Sequence, residues 1–162
     1  MPRNRGEAGP RVSLLDLLTG TQEDRERAHS LNAIRESARR NVERILNGRW
    51  RPTVHPRESD KKLRSSIACF GLADVTGMPL QTSESIVELV HGVQQALILH
   101  EPRLDEKSLR VKDMSRRAEG TTQREVSLVI TARLRDDPMG LPVQFRSTLE
   151  LPSRRFKVVH DS

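Results

Sequence analysis

The chain has 162 residues, with 28 Lys and Arg against 22 Asp and Glu, one Cys, and four aromatic residues. That length fits one domain with a core of its own, and the lone Cys69 excludes an internal disulfide framework. Met1 to Pro10 holds no apolar leader core and no run approaches the ~18 apolar residues of a membrane span, so a cytoplasmic chain without direct membrane insertion is expected. The charge is uneven. Residues 1–66 carry 15 Lys and Arg against 9 Asp and Glu, whereas residues 67–162 carry 13 of each. A basic front of this kind binds phosphates or docks on an acidic protein. Trp50, Phe70, Phe145 and Phe156 are too few, with two of the Phe at core-like strand positions, to build a base-stacking platform, which argues against nucleic acid.

In chain order, residues 1–12 are rich in Arg, Pro and Gly without periodicity and read as a flexible basic tail; residues 13–162 form the single domain. Leu14, Leu15, Leu17 and Leu18 follow a capping Ser13 and end at Thr19-Gly20. So short a helix is marginal alone, so these leucines pack either on their own domain or on a partner.

From Ser30 to Asn47, Leu31, Ile34, Ala38, Val42, Ile45 and Leu46 recur at steps of three and four, with Gly48 as a stop: an amphipathic helix. Its other face, with Arg35, Glu36, Arg39, Arg40, Glu43 and Arg44, reads as solvated, with Glu36–Arg40 and Arg39–Glu43 as i,i+4 pairs. Arg51 to Pro56 is extended through its two prolines. A short helix over about Asp60 to Cys69 is expected to turn Leu63 and Ile67 inward, and Gly71 closes it. Leu72 to Gly77 reads as a loop. A helix over about Ser83 to His100 follows, with Ile86, Leu89, Val90, Val93 and Leu97 on one stripe, ended by Pro102.

After Pro102 the period changes to two. Leu109 and Val111, then Val126 to Leu134, then Val143 to Leu151, then Phe156 and Val158 alternate with polar residues, predicting three or four strands. Their connections are too short for crossover helices, so pairing is antiparallel. The fold class is α+β, with N-terminal helices packed on a C-terminal three- to four-stranded antiparallel sheet.

Chemistry is sparse. His29, His55, His91, His100 and His160 are scattered without metal-ligand spacing, and no Gly-rich phosphate loop occurs, so no catalytic residue, metal, cofactor or small-molecule substrate is indicated. One segment stands apart: Glu101-Pro102-Arg103-Leu104, directly after an apolar helix. If Pro102 holds Glu101 extended, the carboxylate and the Arg103 guanidinium project to one side and clamp a partner group; otherwise the motif is a helix stop with solvated charges.

The order of these pieces resembles a known family. Ser13 to Leu18, Glu36 to Arg49, Phe70-Gly71-Leu72-Ala73-Asp74, Glu101 to Leu104, and Pro142-Val143-Gln144-Phe145-Arg146-Ser147 together are similar to TssE, the baseplate subunit of type VI secretion systems, related to a phage-tail wedge family often labelled lysozyme-like. The chain departs from the usual pattern at Ala73, where the family has Pro, and at His100, where it has an aromatic residue. The resemblance implies a structural, non-enzymatic subunit whose partners are other type VI baseplate wedge subunits and contractile sheath subunits. It implies that Glu101, Pro102 and Arg103 form an interaction signature. It also implies that the strands carrying Val143, Phe145, Phe156 and Val158 offer an edge on which sheath assembly begins; the charges of Arg154, Arg155 and Lys157 around the final strand either guard that edge against self-pairing or only solubilise it. Two alternatives remain: a basic nucleic-acid-binding protein, and a peptidoglycan hydrolase, which would need two carboxylates across a cleft at roughly 5 to 10 Å.

Overall fold

Alternation between inward apolar and outward polar residues places each strand, and a computed structural model shows how they pair. It describes residues 31–50, 61–64, 66–72, 78–80, 82–115, 125–135, 140 and 142–160. The tail, Leu14 to Leu18, the 51–56 stretch and Ala73 lie outside these residues. Helix α1 spans Leu31–Asn47, α2 spans Lys61–Arg64, a 3-10 turn covers Ile67–Cys69, and α3 spans Ser83–His100. Strands β1 (Arg110–Asp113), β2 (Glu125–Arg133), β3 (Pro142–Glu150) and β4 (Arg155–His160) form one antiparallel sheet in the order β1-β2-β3-β4. The α+β class is as expected, with four strands.

The helices cover one face of the sheet. Ile34, Ala38, Val42, Ile45 and Leu46 of α1 and Ile86, Leu89, Val93 and Leu97 of α3 join Val126, Leu128, Ile130, Phe145, Leu149, Phe156 and Val158 in one core. α1 packs on β4 and on α3, and α3 packs on β1. Thr82 starts α3 as expected of a capping residue, its Oγ1 accepting the Ser85 N–H at 3.2 Å.

The 60–69 helix is a correction. It is broken into α2 and the 3-10 turn, and Leu63 (40% exposed) and Ile67 (93% exposed) face outward, while Cys69 is buried. Only four residues of α-helix form, too few for a 3.6-residue stripe to point anywhere consistently. Just after this segment the chain makes a close backbone approach to the end of α1. Leu72 N–H donates to Gly48 O at 3.1 Å and Trp50 N–H to Leu72 O at 3.3 Å. Gly48 thus acts through proximity rather than as a left-handed stop, whereas Gly71 has φ +102° and its missing Cβ would lie 2.4 Å from the Gly48 carbonyl.

Gly71→Ala is therefore expected to cost about 2 kcal/mol or more in urea unfolding, since both the φ and the space exclude a side chain. Gly92, mid-α3 with nothing within 4 Å of a built Cβ, is the control. Gly92→Ala should stabilise by about 0.5–1 kcal/mol.

Candidate functional site

Where α3 stops, the chain turns rather than extends. Glu101 (φ −122°, ψ 75°) caps the helix, its N–H donating to Leu97 O at 2.9 Å. Leu104 N–H then donates to Glu101 O at 3.1 Å, closing a four-residue turn with Pro102 and Arg103 at its centre. The expectation of an extended Glu101 is corrected accordingly, although the two side chains do meet.

They meet inside the protein. Glu101 is 1% exposed. Arg103 Nε donates to Glu101 Oε1 at 2.7 Å and Nη2 to Oε2 at 2.8 Å, a two-pronged pair. Asn41 Nδ2 donates to Oε2 at 2.7 Å, and the Arg103 N–H reaches Oε1 at 3.4 Å. Arg103 Nη1 donates in turn to Ser37 Oγ at 2.9 Å. Ser37 and Asn41 stand four apart on the core-facing side of α1, so one helix face meets both members of the pair. The turn is also tied to the sheet. Arg135 N–H donates to Arg103 O at 2.8 Å, Asp105 N–H to Arg133 O at 2.8 Å, and Leu104 bridges Leu134.

Sequence reasoning missed Ser37 and Asn41. The signal was present: two short polar residues at i,i+4 lie inside a stripe otherwise made of Ile34, Ala38, Val42 and Ile45, and a polar group on a buried face needs an internal partner.

The charged face of α1 is not simply solvated. Arg39 bonds Glu36 (Nη2–Oε1 2.8 Å) and Glu43 (Nη1–Oε2 2.8 Å), and the expected Glu36–Arg40 pair stretches to 3.9 Å. The Arg39 hydrogen bond holds the Glu36 carboxyl below the usual carboxylate range against the opposing pull of burial. Arg39 also donates to the Val158 carbonyl at 2.6 Å. Asn47 donates to Phe156 O at 2.8 Å and accepts from Phe156 N–H at 2.9 Å, and Arg49 Nη2 donates to Arg154 O at 2.8 Å. Three side chains at one end of the fold thus occupy the outer edge of β4.

Of the strand residues expected at an interface, Val143, Phe145, Phe156 and Val158 all face the core. β3 lies between β2 and β4 and has no edge to offer, a correction that follows from the strand order. Arg155 and Lys157 point to the open face of the sheet rather than along its edge. Among the described residues no three His, Cys, Asp or Glu gather as a metal site, and no helix is long and apolar enough to cross a membrane.

His100 sits behind the turn. Its Nε2 donates to the Cys69 carbonyl at 3.0 Å and its ring tilts against Phe70 at 5.2 Å, filling the place of the aromatic residue that the resemblance implied. Burial pushes the imidazole below its ordinary value of 6.5, with the Cys69 carbonyl opposing.

The fold is thus an α+β domain whose charged turn is satisfied internally. The chain belongs to the family of baseplate wedge protein gp25, which it matches over residues 32–139, about two thirds of its length. TssE is the type VI homologue of gp25. No curated protein and no solved structure matches the chain significantly. The family role is structural, in the baseplate of phage tail-like machines.

Two predictions follow from this geometry. Arg103→Ala leaves a buried carboxylate with neutral donors only, and should destabilise the protein by about 3–5 kcal/mol in urea unfolding. Glu101→Gln, which removes the charge but keeps the shape, should cost less. For His100, the unfolded chain takes up a proton near 6.5 that the folded chain resists, so its contribution is complete above that pH and is lost as pH falls through the lower folded value. The melting temperature should fall between about pH 7.5 and about pH 5.5, and His100→Phe should flatten that fall.

Proposed function

We propose that this chain is the TssE-type wedge subunit of a type VI secretion system, joining other wedge subunits to the contractile sheath and helping to start sheath assembly on the cytoplasmic side of the envelope. The observation that carries this reading is the gp25 match, which spans nearly all of α1, the Glu101-Pro102-Arg103 turn and the first two strands, and so includes the fold's internal tie. The order and spacing of all the sequence pieces, from Ser13 to Leu18 through Pro142 to Ser147, support the type VI reading.

In this reading Glu101, Pro102 and Arg103 act by bracing the junction of helices and sheet, and the contacts with partners are made by surfaces that the junction holds in place. Sheath docking would use the main chain of β4, the edge strand next to β3. An incoming strand there must take over the Phe156 and Val158 groups now bonded to Asn47 and Arg39. The hydrolase alternative has little to work with at Glu101, whose two oxygens are buried and already accepting hydrogen bonds. The nucleic-acid alternative has little to stack on, since Phe145 and Phe156 are in the core and Phe70 lies on His100, which leaves Trp50 as a single part-exposed ring among the described residues.

Stoichiometric co-purification with co-expressed baseplate proteins tests the wedge assignment. For the sheath contact, Val158→Pro is informative. The Val158 carbonyl faces α1 rather than β3, so its N–H also points outward and proline spares the β3–β4 ladder. Baseplates carrying the folded variant should assemble but start few sheaths. Sheath formation at the ordinary frequency would place the sheath contact away from β4.

A further inference from the structure

The open face of the sheet sorts charge in a way that the balanced composition of residues 67–162 conceals. On that face stand Arg110 and Lys112 of β1, Arg133 of β2, Arg146 of β3, and Arg155 and Lys157 of β4, all exposed. Among the described strand residues the same face holds two acids, Glu125 and Glu150, directly opposite one another at one corner and next to Arg155. Six strand cations therefore stand with two strand carboxylates, and Asp105 lies at the rim beside Arg110 and Arg133. Across the middle runs the register row Lys112–Val129–Arg146–Val159, two exposed or half-exposed valines alternating with two cations. Met114 is exposed beside it. Two depressions, of about 500 Å³ beside Arg110 and Arg133 and about 350 Å³ between Met114, Val129 and Arg146, indent this face.

We infer that the open sheet face is a docking surface for an acidic protein segment that presents an apolar side chain between carboxylates. Charge complementarity selects the occupant. A second copy of this chain would bring like charges together. A nucleic acid would find no aromatic ring on the face, would meet Glu125 and Glu150, and would leave the Val129–Val159 row without an apolar partner. An acidic segment with a Leu or Ile answers every part: its carboxylates meet Lys112, Arg146 and Lys157, and its apolar side chain covers the valines. The surface is distinct from the β4 edge, so it goes beyond the sheath contact proposed above and stands or falls without it.

The test uses the full chain and three fluorescent probes: a short Glu- and Asp-rich peptide with two central Leu, the same peptide with Ser for Leu, and a DNA duplex. Binding is read by anisotropy. The Leu peptide should bind most tightly, and added salt should weaken it. Arg146→Glu and Lys157→Glu, both exposed on the face, should each weaken it at least about tenfold. Lys62→Glu, an exposed cation on α2, should change it by less than about twofold. Circular dichroism melting confirms that each variant is folded, and two separate reversals keep the test valid if one is not. Equal binding of the Leu and Ser peptides, or an equal loss in Lys62→Glu, would overturn the inference. A duplex that outcompetes both peptides would overturn it as well and make the face a nucleic-acid surface.

Discussion

A buried carboxylate fixes the layout of this protein. Glu101 ends α3 with its side chain out of water, a position that is costly for a charge unless every lone pair finds a donor. Arg103 supplies two of those donors from the same turn, and Asn41 supplies a third from α1. Since Arg103 also holds Ser37, and its carbonyl holds the end of β2, the pair links three elements that share no local sequence. An apolar replacement of similar volume would pack α3 against α1 as tightly and leave the rotation of α1 to its apolar stripe alone. The charged pair reinforces that rotation, because it puts Ser37 and Asn41 opposite the turn.

That rotation has consequences at the far side of the sheet. With Ser37 and Asn41 committed to the turn, Arg39 and Asn47 fall on the side of α1 that reaches β4. Asn47 presents a donor and an acceptor to the two main-chain groups of Phe156, as a neighbouring strand would. Arg39 and Arg49 cover the carbonyls on either side. An edge strand left bare invites uncontrolled pairing, and here three polar side chains occupy it with bonds that a strand can replace one by one. The charged turn and the edge strand are thus mechanically related through one helix.

Much of this was legible in the sequence. The 3.6-residue stripes of α1 and α3 and the shift to period two after Pro102 gave the helices, the three or four strands and their antiparallel pairing, because each rests on burial along one element. The breaks came where structure depends on distant groups. The 60–69 segment has helical spacing at Leu63 and Ile67, yet only Lys61–Arg64 is α-helical and both residues face outward. That Glu101 and Arg103 share one side was readable, but their pairing with each other inside the protein was not, because the groups that draw them inward lie some sixty residues earlier. A polar residue on an apolar stripe carries that information only as a demand for a partner.

Charge shows the same division between amount and place. The second half of the chain carries equal numbers of acids and bases, so its composition implies no preference of partner. Strand phase breaks the tie. Along β1, β3 and β4 the cations Arg110, Lys112, Arg146, Arg155 and Lys157 occupy outward positions of the alternation, whereas Glu101 is buried, Asp105 bonds its own turn and Asp113 bonds Ser115. Three of the acids are thus held in internal hydrogen bonds, and among the described strand residues the open face carries six bases against Glu125 and Glu150. Because the field above a surface depends on charges that remain solvent-facing and close together, the sheet attracts anionic groups although its half of the chain is neutral. The quantity that predicts a partner is therefore the net charge of each face, which requires the phase of every strand to be known before any charge is counted.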